Sequence, residues 1–385
     1  MVSGSVRVMA VAALLAGTLI STCRGTAAAA ADKLDEIFAG LKRDQPGVAV
    51  LVRKNGRTLL QRTYGVRELR SGTPIDAGTN FRLASCTKQF TAMAVMLLVH
   101  EGKLRYDQNL REIFPEFPAY GKYMTIRHLL NHTSGLPDYE ELMEQAGQPA
   151  KWTETHQIQA AEVLKLLATE KRGKFVPGTQ WSYSNSGYVV LGLIVAKVSG
   201  QPFSDFLRER IFEPLKMNRT VAYVKGRNQV PARAYGHSNT GRGFSETDQS
   251  STSATLGDGG VYSNLEDLAL WDDALTRHAL LSETEMQAAL TPVKLANGTQ
   301  PPHWASGEGD TDPLAGKPVS YGFGWFLDPY RGQPRMWHYG DTVGFKSAIE
   351  RFPKDELTVI VLTNRSDLDA PALALKVADL YLTGQ

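Results

Sequence analysis

A serine and a lysine lie three residues apart at the beginning of the hydrophobic segment RLASCTKQFTAMAVMLLVHEGKL, residues 82–104. On a helix this spacing is about one turn, so the side chains of Ser85 and Lys88 would project from one face. A serine hydroxyl becomes a nucleophile when a base takes its proton, and a lysine is such a base once burial has made its amine neutral. The alternative is a helix-capping serine followed by a surface lysine, and this spacing alone does not decide between them.

A tyrosine and an asparagine in the segment VPGTQWSYSNSGYVVLG could complete this pair. The phenol of Tyr183 can relay a proton, and the amide of Asn185 can hold both Lys88 and a substrate carbonyl. A second Tyr-Ser-Asn stands at 262–264, where the serine and the glutamate three residues later have capping-box spacing. We therefore expect the second copy to start a helix and the first copy to belong to the site.

The segment MWHYGDTVGF near the C-terminus is a predicted strand that could form a third side of the site. His338 could face the site, Gly340 would leave room for a substrate along the strand, and the backbone N–H of Asp341 would point at the substrate carbonyl.

Cys86 is a second candidate nucleophile, but a cysteine on a hydrophobic helix usually serves packing. His132, in LNHTSG, is expected to be a loop residue that makes hydrogen bonds rather than a catalytic base.

Both ends of the chain carry strand signals, and the centre is mostly helical. GVAVLVRKNGRTLLQRTYGVREL is a predicted hairpin that turns at Asn55-Gly56. GFGWFL, PRMWHYGD, FKSAIERF and LTVIVLTN are further predicted strands, and PALALKVADLYL is a predicted terminal helix. Residues 291–320 are rich in proline and glycine, so we expect an exposed loop outside the core there.

These elements predict an α/β (α+β) fold. One antiparallel sheet would be built from both chain ends, at about 32–84 and 320–385, and would be flanked by helices. A mostly helical lobe, at about 85–319, would be inserted between the two parts of the sheet. A site is then expected at the junction of the two lobes.

The first thirty-one residues have the layout of an export signal. One early arginine precedes an apolar run from Val8 to Ile20 and an alanine-rich stretch, so we expect cleavage after Ala29 to Ala31 and a mature domain at 32–385. The alternative is a lipoprotein that keeps Cys23 as its first residue. No later apolar run is long enough for a bilayer. The expectation is a periplasmic or secreted protein, with its oligomeric state left open.

Composition and motif spacing exclude several classes of partner. The 42 basic and 40 acidic residues give a net charge of +2, which offers no reason to expect nucleic acid or an anionic membrane. None of the eight histidines has H-x-H or H-E-x-x-H spacing, and no phosphate-binding glycine loop occurs. We therefore predict no metal and no cofactor. The expected partner is a small-molecule or peptide substrate.

Taken in order, the three segments resemble the motifs of the serine β-lactamase and penicillin-binding-protein superfamily, in its class-C-like branch. The stretches TIRHLLNHTSGLPDY, IFEPLKMNRT and GDGGVYSNLEDLALW also match its pattern, so the resemblance runs from about Asp35 to about Leu382. It implies a β-lactamase/transpeptidase-like fold. The implied roles are acylated nucleophile for Ser85, base for Lys88, proton shuttle for Tyr183, substrate binding for Asn185, an oxyanion hole from the N–H groups of Ser85 and Asp341, and a place at the cleft rim for Tyr139.

The third motif departs from the family pattern, which usually has a lysine followed by serine or threonine. The positions here hold His338 and Tyr339, and a histidine is mostly neutral at pH 7. Loss of a fixed cation should weaken carboxylate binding by about 1.5–3 kcal/mol, and a lysine at 338 should restore it. We therefore expect an esterase or D-amino-acid peptidase that works through a Ser85 acyl-enzyme. The alternatives are a β-lactamase or D,D-carboxypeptidase, and a penicillin-binding-like receptor with little turnover.

Overall fold

The computed structural model describes residues 32–145, 151–304 and 314–382. In chain order its strands are β1 (Val48–Lys54), β2 (Arg57–Tyr64), β3 (Val66–Glu68), β4 (Thr73–Pro74), β5 (Phe81–Arg82), β6 (Val221–Ala222), β7 (His237–Asn239), β8 (Phe244–Glu246), β9 (Val261–Ser263), β10 (Met336–Thr342), β11 (Phe345–Phe352) and β12 (Leu357–Thr363). Its helices are α1 (Lys88–His100), α2 (Leu110–Ile113), α3 (Ile126–Leu130), α4 (Tyr139–Gln145), α5 (Ala160–Leu167), α6 (Asn185–Ser199), α7 (Phe203–Leu207), α8 (Leu265–Thr276), α9 (Glu283–Leu290) and α10 (Ala370–Ala378). Residues 32–37 form a further helical stretch before them.

The main sheet has five antiparallel strands in the order β10-β11-β12-β1-β2. Strands from the two chain ends meet where β1 pairs with β12, and Val48 lies opposite Thr363. The predicted fold, an antiparallel sheet built from both ends and flanked by helices, is confirmed. Three smaller sheets pair β3 with β4, β9 with β5 and β6, and β7 with β8. Strands β6 to β9 of these sheets lie in the middle of the chain, where the sequence predicted mostly helices, whereas β3, β4 and β5 come before residue 85.

The hairpin between β1 and β2 turns at the predicted place. Asn55 and Gly56 have φ values of 52° and 69°, the left-handed pair that a two-residue turn between twisted strands requires. Six of the seven residues of β1 are buried, because the sheet is covered on both faces. Alternate residues of β1 pack into separate cores: Ala49 faces the helical lobe, and Val50 faces α10.

Helix α1 lies in the centre of the helical lobe. Every residue from Lys88 to Leu98 is buried, as expected for a helix that is apolar on nearly all sides. It packs against α6, which is also buried over most of its length. The single amine in the buried part of α1 is therefore held in an apolar environment.

Two predictions about the region before β10 are wrong. GFGWFL is not a strand: Phe326 pairs only at isolated bridges with Tyr321 and Trp337, and Gly324 bends the chain with a φ of 77°. The stretch 291–320 is not outside the core where the structure describes it. Four of its apolar residues are buried with Trp181 and Tyr321, namely Val293, Trp304, Leu314 and Val319.

The predicted export signal and the lipidation alternative at Cys23 lie outside the described residues and stay predictions. Among the helices of residues 32–145, 151–304 and 314–382, none combines the length and apolar character needed to cross a bilayer.

Candidate active site

Ser85 lies on a 3-10 turn, Ala84–Thr87, directly before α1 rather than on the helix itself. Ala84 has a φ of +46°, a left-handed conformation that costs a non-glycine residue about 1–2 kcal/mol. The turn is held in part by the Leu83 carbonyl, which accepts a hydrogen bond from the Ser347 hydroxyl at 2.9 Å. Ser85 is not the N-cap of the turn or of α1, so no capping role occupies its hydroxyl.

The amine of Lys88 is fully buried and makes three hydrogen bonds. Nζ lies 3.0 Å from Ser85 Oγ, 2.8 Å from Asn185 Oδ1 and 3.1 Å from the backbone carbonyl oxygen of Asp258. Burial lowers the pKa of Lys88 to about 8, although the charges of Asp258 and Glu140 act in the opposite direction. Roughly a tenth of the amines are then neutral at pH 7, so a base is present beside the hydroxyl.

Tyr183 and Asn185 are placed by the beginning of α6. The N-cap is Ser184, whose hydroxyl accepts a hydrogen bond from the backbone N–H three residues later at 3.1 Å. Tyr183 precedes this cap, and its phenol lies near enough to Ser85 for the two side chains to interact electrostatically. The ring lies 4.8 Å from Lys88 Nζ. Because burial raises the pKa of the phenol well above its ordinary value, Tyr183 stays protonated and can donate.

Strand β10 lies directly against the turn that carries Ser85, and this contact explains Gly340. A Cβ at position 340 would lie 2.0 Å from the Leu83 carbonyl oxygen. Glycine is therefore required by the approach of two backbones, which is a different reason from the predicted room for a substrate. From the same turn, Cys86 Sγ donates to the His338 carbonyl at 3.3 Å. Burial raises the pKa of this thiol to about 12, so Cys86 is a packing residue.

His338, which was predicted to face the site and bind substrate, is fully buried, although its ring centroid lies 6.2 Å from that of Tyr183. Nδ1 donates to the Tyr339 carbonyl at 2.6 Å, and Nε2 therefore accepts from the Tyr321 hydroxyl at 3.1 Å. Burial, together with the nearby charge of Lys88, lowers the pKa of His338 to about 3. The imidazole is neutral at physiological pH and does not offer a positive charge to a carboxylate.

We expect His338→Lys to destabilise the fold by about 3 kcal/mol and to leave binding of carboxylate substrates unimproved, because it places an unpaired ammonium in a buried site. Denaturant unfolding, and KM for a pair of substrates with and without a free carboxylate, check this. His338→Gln is the matched control, since it stays neutral and can keep a hydrogen bond, and it should cost less. A lysine variant with wild-type stability and a lower KM for the carboxylate substrate would contradict this placement of residue 338.

Tyr139 and Asp341 occupy different environments. Tyr139 is fully buried, so its predicted place at the cleft rim is wrong; its backbone N–H donates to the Ser186 hydroxyl at 2.9 Å, which ties α4 to α6. Asp341 is exposed on β10 and forms an ion pair with Lys346. Since β10 is the edge strand of the main sheet, a substrate can lie alongside it.

The second Tyr-Ser-Asn segment is structural, as expected. Asn264 is the N-cap of α8 and accepts a hydrogen bond from the Asp267 N–H at 2.9 Å. The cap is thus one residue later than the predicted Ser263, whose hydroxyl instead bonds to Thr220 at 2.7 Å. Tyr262 lies 3.1 Å from a guanidinium nitrogen of Arg233. None of these contacts reaches Ser85.

Sequence reasoning missed two contributors to the site. The backbone carbonyl of Asp258 holds Lys88, and its only signal was the family-like stretch GDGGVYSNLEDLALW. Trp304 packs against Tyr183 with ring centroids 5.3 Å apart, and no periodicity in the sequence marked it.

Within the described parts of the chain, no group of three or more His, Cys, Asp or Glu residues is arranged to hold a metal ion.

A nucleophile, a base and a proton donor thus converge in one place, an arrangement that serves acyl transfer. The family model described as Beta-lactamase matches residues 27–382. The chain belongs to the Beta-lactamase family and is a serine hydrolase of this superfamily.

Relatives and solved structures agree with this assignment. Penicillin-binding protein 4* of Bacillus subtilis (strain 168) is 34% identical over 371 residues, covering 91% of this chain and 76% of that protein. A D-aminopeptidase of Cereibacter sphaeroides is 28% identical over 356 residues, covering 91% of this chain but only 62% of the relative's length. The crystal structure of a penicillin-binding protein from Bacillus halodurans superposes with a TM-score of 0.70 at 26% identity, covering 90% of this chain and 97% of that one. The predicted family, fold and enzyme class are confirmed.

Proposed function

We propose that the chain hydrolyses an ester or amide bond through an acyl-enzyme on Ser85. The observation that carries this proposal is the 3.0 Å contact between Ser85 Oγ and the buried amine of Lys88. Neutral Lys88 takes the hydroxyl proton while Oγ attacks the carbonyl carbon; Tyr183 gives its proton to the leaving alcohol or amine as the scissile bond breaks, and Lys88 returns a proton to Tyr183. Water then attacks the acyl ester and gives a proton to neutral Lys88, and a proton passes to Ser85 Oγ as the ester bond breaks, which releases the acid and free Ser85.

The remaining groups would bind the substrate carbonyl. Because Oδ1 of Asn185 accepts from Lys88, the amide nitrogen is the group that would meet the substrate. The backbone N–H groups of Ser85 and Asp341 would form the oxyanion hole, since one lies on the nucleophile itself and the other on edge strand β10. This assignment keeps the roles that the family resemblance implied.

The charges around the site favour neutral or amine-bearing substrates. Asp258 and Glu140 act electrostatically on Lys88, and Asp138 acts on Glu140. The neutral His338 adds no positive charge. When Lys88 is neutral, as the reaction requires, the carboxylates that are ionised leave a negative field, which attracts a cation and repels a carboxylate. We therefore rank an ester or an amino-acid amide with a free amine above a β-lactam or a peptide with a terminal carboxylate.

A charge series on one scaffold tests this ranking. D-alanine p-nitroanilide with a free amine, its N-acetyl form and its N-succinyl form carry a positive, a neutral and a negative group. We expect kcat/KM to fall in that order, with the free-amine form at least about tenfold above the succinyl form, which corresponds to about 1.4 kcal/mol. Added salt should reduce this difference in kcat/KM. Glu140→Gln is the control and should also narrow it. A preference for the succinyl form, or faster turnover of nitrocefin than of all three, would reverse the ranking; acylation without turnover would indicate a receptor.

We also propose export, on the basis of residues 1–31 of the sequence alone. A mature N-terminus near residue 32, measured by mass spectrometry on protein from the outside of the cytoplasmic membrane, supports this. A lipidated N-terminus at Cys23 would favour the lipoprotein alternative, and an intact N-terminus in the cytoplasm would refute both.

A further inference from the structure

The residues on either side of Tyr183 are held by one histidine. The backbone N–H of Ser182 donates to the carbonyl of His132 at 3.0 Å, and the backbone N–H of Ser184 donates to Nδ1 of His132 at 3.1 Å. The imidazole also packs against the phenol ring, with centroids 4.4 Å apart and planes 34° apart. His132 therefore contacts all three residues of the stretch 182–184, here called the tyrosine segment: the two serines through hydrogen bonds and Tyr183 through its ring.

His132 is built to hold this segment rather than to react with a substrate. Only 1% of its surface is exposed, so a substrate does not reach it. Because Nδ1 accepts the Ser184 N–H, the ring proton lies on Nε2. Burial and the positive charge of Lys88 keep the pKa of His132 well below its ordinary value, so Nδ1 remains an acceptor.

The backbone of His132 has a φ of +64°. This left-handed conformation is uncommon outside glycine, although asparagine, aspartate and histidine adopt it more readily than other residues. The next residue is fixed from both sides, since the Thr133 N–H donates to the His128 carbonyl at 2.9 Å and its carbonyl accepts from the Gly178 N–H at 2.8 Å. The carbonyl and the ring of His132 are thus presented to the tyrosine segment by a defined loop.

We propose that His132 is a positioning residue that fixes the phenol of Tyr183 beside Ser85. The inference rests on the proposed function, in which Tyr183 carries the proton. The bond to the Ser184 N–H has a second consequence, because Ser184 is the cap of α6 and Asn185 is its first residue. One histidine thereby sets the positions of both the phenol and the amide. A displacement of about 1 Å at such a group can cost on the order of a hundredfold in rate.

Two substitutions separate the hydrogen bond from the ring packing. His132→Ala removes both, whereas His132→Asn loses the ring but keeps a side-chain acceptor and tolerates the left-handed φ. We expect the alanine variant to lower kcat by about 30- to 100-fold with little change in KM, and the asparagine variant to recover most of it. His128→Ala is the matched control: its Nδ1 also accepts a backbone N–H, from Thr125 at 3.3 Å, but at the start of α3. Its kcat should not change.

Rates are measured with a p-nitrophenyl ester on variants whose thermal unfolding is recorded in parallel. The inference is overturned if His132→Ala folds and keeps the wild-type kcat, or if the alanine and asparagine variants are equally impaired. Should the alanine variant not fold, His132→Gly, which accepts a positive φ freely, replaces it in the same comparison. The two possible failures can be told apart. If the wild-type protein forms no adduct at Ser85, the proposed function is wrong. If the wild type is active and His132→Ala is equally active, only the inference about His132 is wrong.

Discussion

Ser85→Ala is expected to reduce hydrolysis by about 10⁴-fold or more, because it removes the atom to which the acyl group would be attached. The fold should remain, since Ser85 caps neither the 3-10 turn nor α1. The 3.0 Å contact with Lys88 is lost, but Asn185 and the Asp258 carbonyl still hold the amine. Intact-protein mass spectrometry after mixing with a slowly hydrolysed ester should show an adduct on the wild type and none on the variant.

Cys86→Ala is the matched control for the nucleophile. The thiol is adjacent in sequence but is buried, and its pKa is raised to about 12, so little reactive thiolate exists at neutral pH. This variant should still form the adduct on Ser85. Activity that remains in Ser85→Ala and disappears when Cys86→Ala is added would assign the chemistry to the thiol and refute the proposal.

The parts of the site that the sequence predicted are those whose geometry is local. Ser85 and Lys88 are one turn apart along the chain, so only the local backbone has to bring them together. Tyr183 and Asn185 flank the cap of α6, so both copies of Tyr-Ser-Asn begin a helix and capping alone does not distinguish them. That these two segments would meet in space did not follow from either spacing; the family resemblance supplied it.

The errors come from contacts that depend on distant backbone. Strand alternation places His338 and Gly340 on the same face of β10, but nothing local shows that this face is covered by the turn that carries Ser85. The carbonyl of Asp258 acts through a group that every residue has, so no side-chain pattern could mark it. Trp304 lies in a polar stretch without periodicity, and its burial results from packing against Trp181 and Tyr183.

Lys88→Met and Lys88→Arg should both reduce acylation, by about 10²- to 10⁴-fold. Methionine has a similar length but no base, and arginine keeps a positive charge but cannot be deprotonated at accessible pH. If the role of Lys88 were only to supply charge, the arginine variant would retain activity, and that result would refute the neutral-amine mechanism. Burst-phase measurement of the acylation step, with far-UV circular dichroism to check folding, distinguishes these outcomes.

The pH dependence gives the same hypothesis an independent test. In the wild type, kcat/KM should rise with pH and level off above about 8, where Lys88 becomes neutral. Tyr183 stays protonated and His338 stays neutral through this range. Glu140 is exposed at the surface, but desolvation by its neighbours and the charge of Asp138 raise its pKa to about 7. The profile should therefore be repeated in Glu140→Gln, where the rise near pH 8 should persist. A rise that disappears in this variant would assign the titration to the carboxylate.

Protein stability should change in the same pH range. The folded-state pKa of Lys88, about 8, lies below its ordinary value of 10.5, so between these values the unfolded chain binds more protons than the folded one. The free energy of unfolding then gains a contribution that grows with pH across this interval, reaching about 3 kcal/mol. Lys88→Met lacks this contribution, so its stability relative to the wild type should fall as the pH rises from 8 to 10.5. The free energy of unfolding of both proteins is measured by chemical denaturation at each pH. If the two values change in parallel with pH, the amine is not held neutral by the fold.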